Sequence, residues 1–166
     1  MERLTSPSVT VSSAHKCAWG AMLMTQATLN RDLNARLESA GHVSLELYDV
    51  LLALEESPDG RQRMSDLAQM VIFSPSGLTR VIDRLQKAGL VRRERCESDR
   101  RSTYAVITPR GRTERKSAWP TYERGLREVW AAFISDEQAT QVFNILRQVL
   151  GKFERSGCAD LLDDPL

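Results

Sequence analysis

Residues 74–111 constrain the fold of this chain more than any other stretch. They open as Ser74-Pro75-Ser76-Gly77-Leu78-Thr79-Arg80 and run through an amphipathic segment to Lys87-Ala88-Gly89-Leu90-Val91. They continue as Arg92-Arg93-Glu94-Arg95-Cys96-Glu97-Ser98-Asp99-Arg100-Arg101, alternate briefly, and close on Thr108-Pro109-Arg110-Gly111. Serine before proline marks a helix start: the hydroxyl accepts from an orphan N–H, and proline at the first helical position has no N–H to lose. At 100° per residue, Leu78, Val81, Ile82 and Leu85 fall on one side and Ser76, Arg80, Asp83 and Lys87 on the other. Gly89 supplies the stop. Val91, Arg93 and Arg95, then Thr103 to Ile107, suit two short strands around the polar tip 97–101. The prediction is a helix followed by a basic hairpin, whose tip can reach a DNA minor groove or backbone, where arginine is favoured.

The charge balance supports this locally and not globally. The chain carries 23 Lys+Arg against 22 Asp+Glu. Residues 74–116 hold twelve basic and five acidic side chains, a net of +7, which leaves −6 on the rest of a chain whose formal charge is +1. A basic element on an acidic body gains counterion-release affinity for phosphates while the body repels misplaced nucleic acid; a solvated charged face is the plainer reading of the same numbers.

A chain of 166 residues buries roughly 70% of its unfolded surface, so one domain, or one with a helical extension, is expected to fold without metal or disulfide. Cys17, Cys96 and Cys158 form an odd set without Cys-x-x-Cys spacing, which points to a reducing compartment. His15 and His42 stand far apart, so neither a metal nor another cofactor is expected. No apolar run reaches the roughly 18 residues of a membrane span, and the polar N-terminus has no signal core, so a bacterial cytoplasmic location is expected.

Along the chain, residues 1–13 read as a loose arm. In 14–40, Trp19, Met22, Leu29, Leu33 and Leu37 recur at helical spacing, with Gly41 as the stop. Ser44 is placed to cap a second, strongly apolar helix containing Leu45, Tyr48, Leu51, Leu52 and Leu54, ended by the turn Ser57-Pro58-Asp59-Gly60. A short helix over 65–70 follows. Thr108-Pro109 opens a long helix that Pro120 bends without ending. Ser135 and Gln138 have capping-box spacing and start a last helix with the stripe Val142, Leu146, Val149, Leu150 and Phe153. An acidic tail closes the chain.

Two helices joined by a tight turn and followed by two strands make a winged helix-turn-helix, and this segment resembles the MarR family of bacterial transcription regulators. The matching residues are Leu67-Ala68, Ser76-Gly77-Leu78-Thr79-Arg80, Asp83-Arg84-Leu85, Gly89-Leu90-Val91-Arg92-Arg93, Asp99-Arg100-Arg101 and Thr108-Pro109-Arg110-Gly111. Across 14–153 the flanking helices match in pattern rather than in residues. The expected fold is mainly α with a small β-wing. Its divisions are an arm (1–13), a dimerisation helix (14–43), a winged helix-turn-helix DNA-binding domain (44–108), C-terminal dimerisation helices (109–156) and an acidic tail (157–166).

The resemblance implies a homodimer on double-stranded DNA with a pseudo-palindromic operator, its half-sites about one turn, roughly 34 Å, apart. It places Ser74, Ser76, Gly77, Thr79 and Arg80 at the DNA surface, with Arg84 and Lys87 on phosphates and Arg100 and Arg101 at the wing tip. Arg80 can pair bidentately with guanine; an ion pair with Asp83 is its alternative. Asp99 would orient the wing arginines.

Regulators of this family couple DNA release to a small aromatic or anionic ligand or to cysteine oxidation. The urate-responsive branch links an aspartate in the second helix with arginines in the recognition helix and at the wing base, here Asp49, Arg80 and Arg93, together with a tryptophan. That branch carries its tryptophan on an additional helix, whereas Trp19 lies in the expected dimer helix. Asp49 also fits a plain polar stripe with Glu46, Ala53 and Glu56. An anion that displaced Asp49 from Arg93 would move the wing. Cys17, on the first helix where peroxide-sensing relatives carry a cysteine, is the redox candidate; a buried inert thiol is the alternative. A repressor released by its ligand is therefore expected, with an oxidation-responsive regulator or a winged-helix protein-interaction module as alternatives. No nucleophile–base pair, metal set or phosphate-cradling glycine loop suggests an enzyme.

Overall fold

The computed structural model describes residues 10–71, 73–95 and 102–151. Within these, helix α1 (Ser13–Ser39) leads to α2 (Leu45–Glu56), strand β1 (Arg61–Arg63), α3 (Met64–Met70), α4 (Pro75–Lys87), β2 (Val91–Arg95), β3 (Thr103–Ile107), α5 (Pro109–Leu126) and α6 (Asp136–Gly151). The expected class, mainly helical with a small β-wing, is the observed one. Residues 1–9, Ile72, Cys96, the wing tip with Asp99, Arg100 and Arg101, Phe153, Cys158 and the acidic tail lie outside the described residues.

The helix starts follow local chemistry in most cases. Ser74 Oγ accepts from Gly77 N–H at 3.0 Å, Thr108 Oγ1 accepts from Gly111 N–H at 3.0 Å, and Pro75 and Pro109 fill the first helical positions. Ser135 and Gln138 form the expected reciprocal pair, with Ser135 N–H donating to Gln138 Oε1 at 2.9 Å and Gln138 N–H to Ser135 Oγ at 3.3 Å. Helix α2 departs from expectation. Ser44 makes no capping bond, and Leu45 N–H donates instead to Asn34 Oδ1 of α1 at 2.9 Å. A tertiary neighbour outcompetes the local cap there.

The predicted two-stranded wing is in fact part of a three-stranded antiparallel sheet of order β1-β3-β2. Asp59 and Gly60, at φ 58° and 67°, turn the chain so that Arg61 pairs with Val106 and Arg63 with Tyr104. A three-residue strand reading Arg-Gln-Arg shows no apolar alternation, so only its partner reveals it. In the other pairing Val91 faces Ile107 and Arg93 faces Ala105.

Helix α5 runs through Pro120, and the chain then widens into a π-helical turn over Arg127–Ala131. No helix among the described residues is long and apolar enough to cross a membrane.

Two apolar clusters hold these elements. Leu51 and Leu54 of α2, Leu67 of α3, Leu78, Val81, Ile82 and Leu85 of α4, and Val91, Ala105 and Ile107 of the sheet make the core of the winged module. Leu33 and Leu37 of α1, Leu45 and Tyr48 of α2, and Ala118 of α5 make a second core, flanked by Trp119 and Tyr122. Gly111 lets α5 approach the sheet: a Cβ there would strike the Leu90 carbonyl oxygen and lie 2.9 Å from Ile107 Cγ1. Helix α6 buries no residue.

Candidate nucleic-acid interface

Burial of Leu78, Val81, Ile82 and Leu85 fixes the rotation of α4, so its opposite face must point outward. Ser76, Thr79, Arg80, Asp83, Arg84 and Lys87 are all exposed. Arg80 makes no hydrogen bond or ion pair among the described residues, and the alternative pairing with Asp83 is not formed, because Asp83 is taken by Arg93. Arg84 Nη1 donates to Glu46 Oε2 of α2 at 3.0 Å. Thr79 Oγ1 donates back to Pro75 O at 2.9 Å, and Ser74 and Ser76 hydroxyls lie 3.3 Å apart. Gly77 keeps the first turn of α4 slim.

The wing stands beside this face. Arg93 of β2 donates from Nη1 to Asp83 Oδ1 at 2.6 Å and to Gln86 Oε1 at 3.0 Å, and from Nη2 to the Thr79 carbonyl oxygen at 3.4 Å. Beside Arg93 a hollow of about 450 Å³ is lined by Met64 and Ser65 at the start of α3, Thr79 of α4, and Arg63, Arg93, Ser102 and Thr103 of the sheet and its tip-side end. On the outer sheet face, Arg61 lies over the Tyr104 ring at 4.8 Å, and Arg63 Nε donates to the Tyr104 hydroxyl at 3.0 Å. Sequence reasoning missed Arg61 and Arg63 because it missed β1. It also missed Asp83 as a partner of Arg93, although both sat on its helix wheel and strand pattern.

The residues grouped as an effector set do not converge. Arg93 is bound to Asp83 rather than to Asp49, and Trp19 lines a groove on the far side, between α1 and α6. Asp49 makes no hydrogen bond or ion pair among the described residues. Its side chain reaches solvent, yet the surrounding protein strips enough water to push its carboxyl up to about 6. Tyr122, stacked on Tyr48 with centroids 5.0 Å apart, is pushed up to about 12 by burial first, then by the charges of Asp49 and Tyr48. Cys17 is exposed in the single chain, contrary to the alternative of a buried thiol.

The groove holding Trp19 measures about 810 Å³ and is strongly apolar, with Met22 and Leu29 of α1, Leu126 at the end of α5, Trp130 just beyond it, and Val142, Ile145 and Val149 of α6 around it. Trp19 is 60%, Ile145 61% and Phe133 78% exposed.

A helix with a clean outward polar face, buttressed by a three-stranded wing, defines a winged helix-turn-helix module. Comparison with known proteins agrees. The MarR family profile matches residues 43–103. AbsC, a MarR family transcriptional regulator from Streptomyces coelicolor, is 32% identical, with a TM-score of 0.78 over 88% of this chain and 98% of that one. Sco3205, another MarR family regulator from the same organism and solved in complex with DNA, is 27% identical, with a TM-score of 0.79 over 87% and 94%. The transcriptional repressor MprA of Escherichia coli (strain K12) is 25% identical over 130 residues, 78% of this chain and 73% of MprA. The chain belongs to the MarR family of transcription regulators.

Proposed function

We propose that this regulator is a homodimer that binds a pseudo-palindromic operator and represses transcription until a small aromatic or anionic ligand releases it. The carrying observation is the outward face of α4, where Arg80 stands exposed with no partner among the described residues, beside a wing rich in arginine. In this reading Ser76, Thr79 and Arg80 approach base edges, Arg80 pairs with guanine, Lys87 meets a phosphate, and Arg100 and Arg101 reach the backbone or minor groove. Arg84 is assigned to phosphate in competition with Glu46.

Dimerisation follows from the unpartnered apolar surface. An exposed stripe along α1 and α6, with no buried residue on α6, is too large to leave in water and fits a self-complementary interface. A two-fold axis then places the two α4 helices in successive major grooves.

For release, the hollow beside Arg93 gives the anionic reading its support: an anion bound there competes with Asp83 for the guanidinium. Exposed Cys17 supports the second reading, release by oxidation of its thiol. Replacing Cys17 with Ser separates them, because only the oxidation reading loses its peroxide response.

The direct test titrates purified protein against its own promoter fragment and against random DNA at two salt concentrations. Sequence preference with a steep salt dependence is expected. Equal affinity for both DNAs would sink the reading.

A further inference from the structure

We propose that Arg61 and Arg63 of β1, braced on the Tyr104 ring, hold backbone phosphates of the operator duplex on the outer side of the wing, adding affinity without sequence preference. The proposal rests on the DNA-binding reading above. It extends the contact surface from α4 and the wing tip to a strand outside both.

The register of the sheet puts these side chains together. Directly opposite residues in an antiparallel ladder share a face, so Arg63, Tyr104 and Glu94 form one row across the outer face, and Arg61, Val106 and Arg92 form the next. Val106 is buried and Tyr104 half-buried, whereas Arg61 and Arg63 are exposed. The Arg61 guanidinium carbon lies 4.8 Å and that of Arg63 5.7 Å from the Tyr104 ring centre, and Arg63 Nε donates to the Tyr104 hydroxyl at 3.0 Å. A guanidinium is weakly hydrated and stacks on an aromatic face. The ring therefore holds both long side chains in place and lowers the entropy lost when they close on a ligand.

Two cations gathered on one ring repel each other. The one carboxylate in these two rows, Glu94, is gripped by Arg92 through Nε at 2.8 Å and Nη2 at 2.5 Å. Arg61 makes no ion pair among the described residues. Three arginines against one glutamate leave a cationic face, and a row of negative charges is what such an array binds. Continuity with α4 decides which polyanion. Arg63 borders the same hollow as Thr79 of α4, so the arginine pair adjoins the surface that α4 presents to DNA. A duplex seated on α4 brings closely spaced phosphates to that rim. An acidic segment of another protein would meet the same charges but has no reason to lie against α4.

Salt dependence reads the contact directly. Wild type, Arg61→Gln and Arg63→Gln are titrated against the operator fragment and against random DNA over a range of salt concentrations. Each substitution should weaken binding to both DNAs by the same factor and leave the preference for the operator unchanged. The slope of log affinity against log salt should become shallower by about 1 for each bound protomer. Arg61→Lys keeps the charge and should keep the slope. Ethylation interference should show phosphates that matter to wild type and no longer matter to Arg61→Gln. Because Arg61 is exposed, its variants should melt as wild type does, which separates a lost contact from a failed fold. Unchanged slope and affinity in both glutamine variants would overturn the proposal, and so would a loss confined to the operator. Binding of polyglutamate that Arg61→Gln abolishes while DNA affinity stays intact would assign the face to an acidic protein partner instead. If wild type binds neither DNA, the DNA-binding reading itself falls.

Discussion

Arg80 is exposed with no partner among the described residues, whereas Arg93, of the same chemistry, spends its donors on α4. That contrast assigns different losses to the two. Arg80→Ala should cost about 1–3 kcal/mol of discrimination, roughly 5- to 150-fold, at one base position and relax preference there; competition binding against operators altered at that position measures it. Asp49 gives a prediction in pH. Its carboxyl is raised to about 6 from 3.8, so the folded chain holds its proton more tightly than the unfolded one. Stability should fall as pH rises from about 4 through 6 and stay lower above that window. Asp49→Asn should therefore raise the thermal midpoint at pH 7 and leave it unchanged near pH 3.5. The sequence showed both arginines and Asp49 but not their partners. Pairing depends on which way a strand residue faces once its register is set, and one position in β2 decides whether a side chain meets Asp83 or solvent.

Among the elements, α4 was fully legible, because Ser74-Pro75, the 100° wheel and Gly89 all point to the same helix. Ser74→Ala should cost about 1 kcal/mol, read in a thermal melt, with loss of protection confined to the first turn of α4. Gly111→Ala should destabilise by about 1–3 kcal/mol, since its Cβ would press on the Leu90 carbonyl, a backbone atom that cannot swing aside. Strand β1 and the cap of α2 were not legible. Both are made by distant residues: Val106 and Tyr104 recruit an Arg-Gln-Arg segment into the sheet, and Asn34 does the work expected of Ser44. Elements specified by their own composition read out from one dimension; those completed by a neighbour do not.

For the whole molecule, the proposed homodimer makes α6 the element whose loss matters most to DNA affinity and least to the winged core. Ile145 and Val149 are 61% and 52% exposed in the single chain, so Ile145→Glu or Val149→Glu should leave the melt of the winged module nearly intact. Sedimentation should nevertheless shift toward the monomer, and operator affinity should drop with it, because two linked half-sites gain from effective concentration and one does not. Operators with half-sites about 34 Å apart should bind best, and inserting five base pairs between them should abolish the advantage by turning one site to the opposite side of the duplex.

One carboxylate joins these scales. Glu114 on α5 accepts from Val43 N–H at 3.1 Å and lies 3.3 Å from His42 Nδ1, so a single side chain ties the α1–α2 corner to the long helix. The corner feeds directly into α2, whose inner side carries the winged core. The α1–α2 corner and the long helix are thus held at one point by one residue's two grips, directly upstream of the helix that carries the winged core.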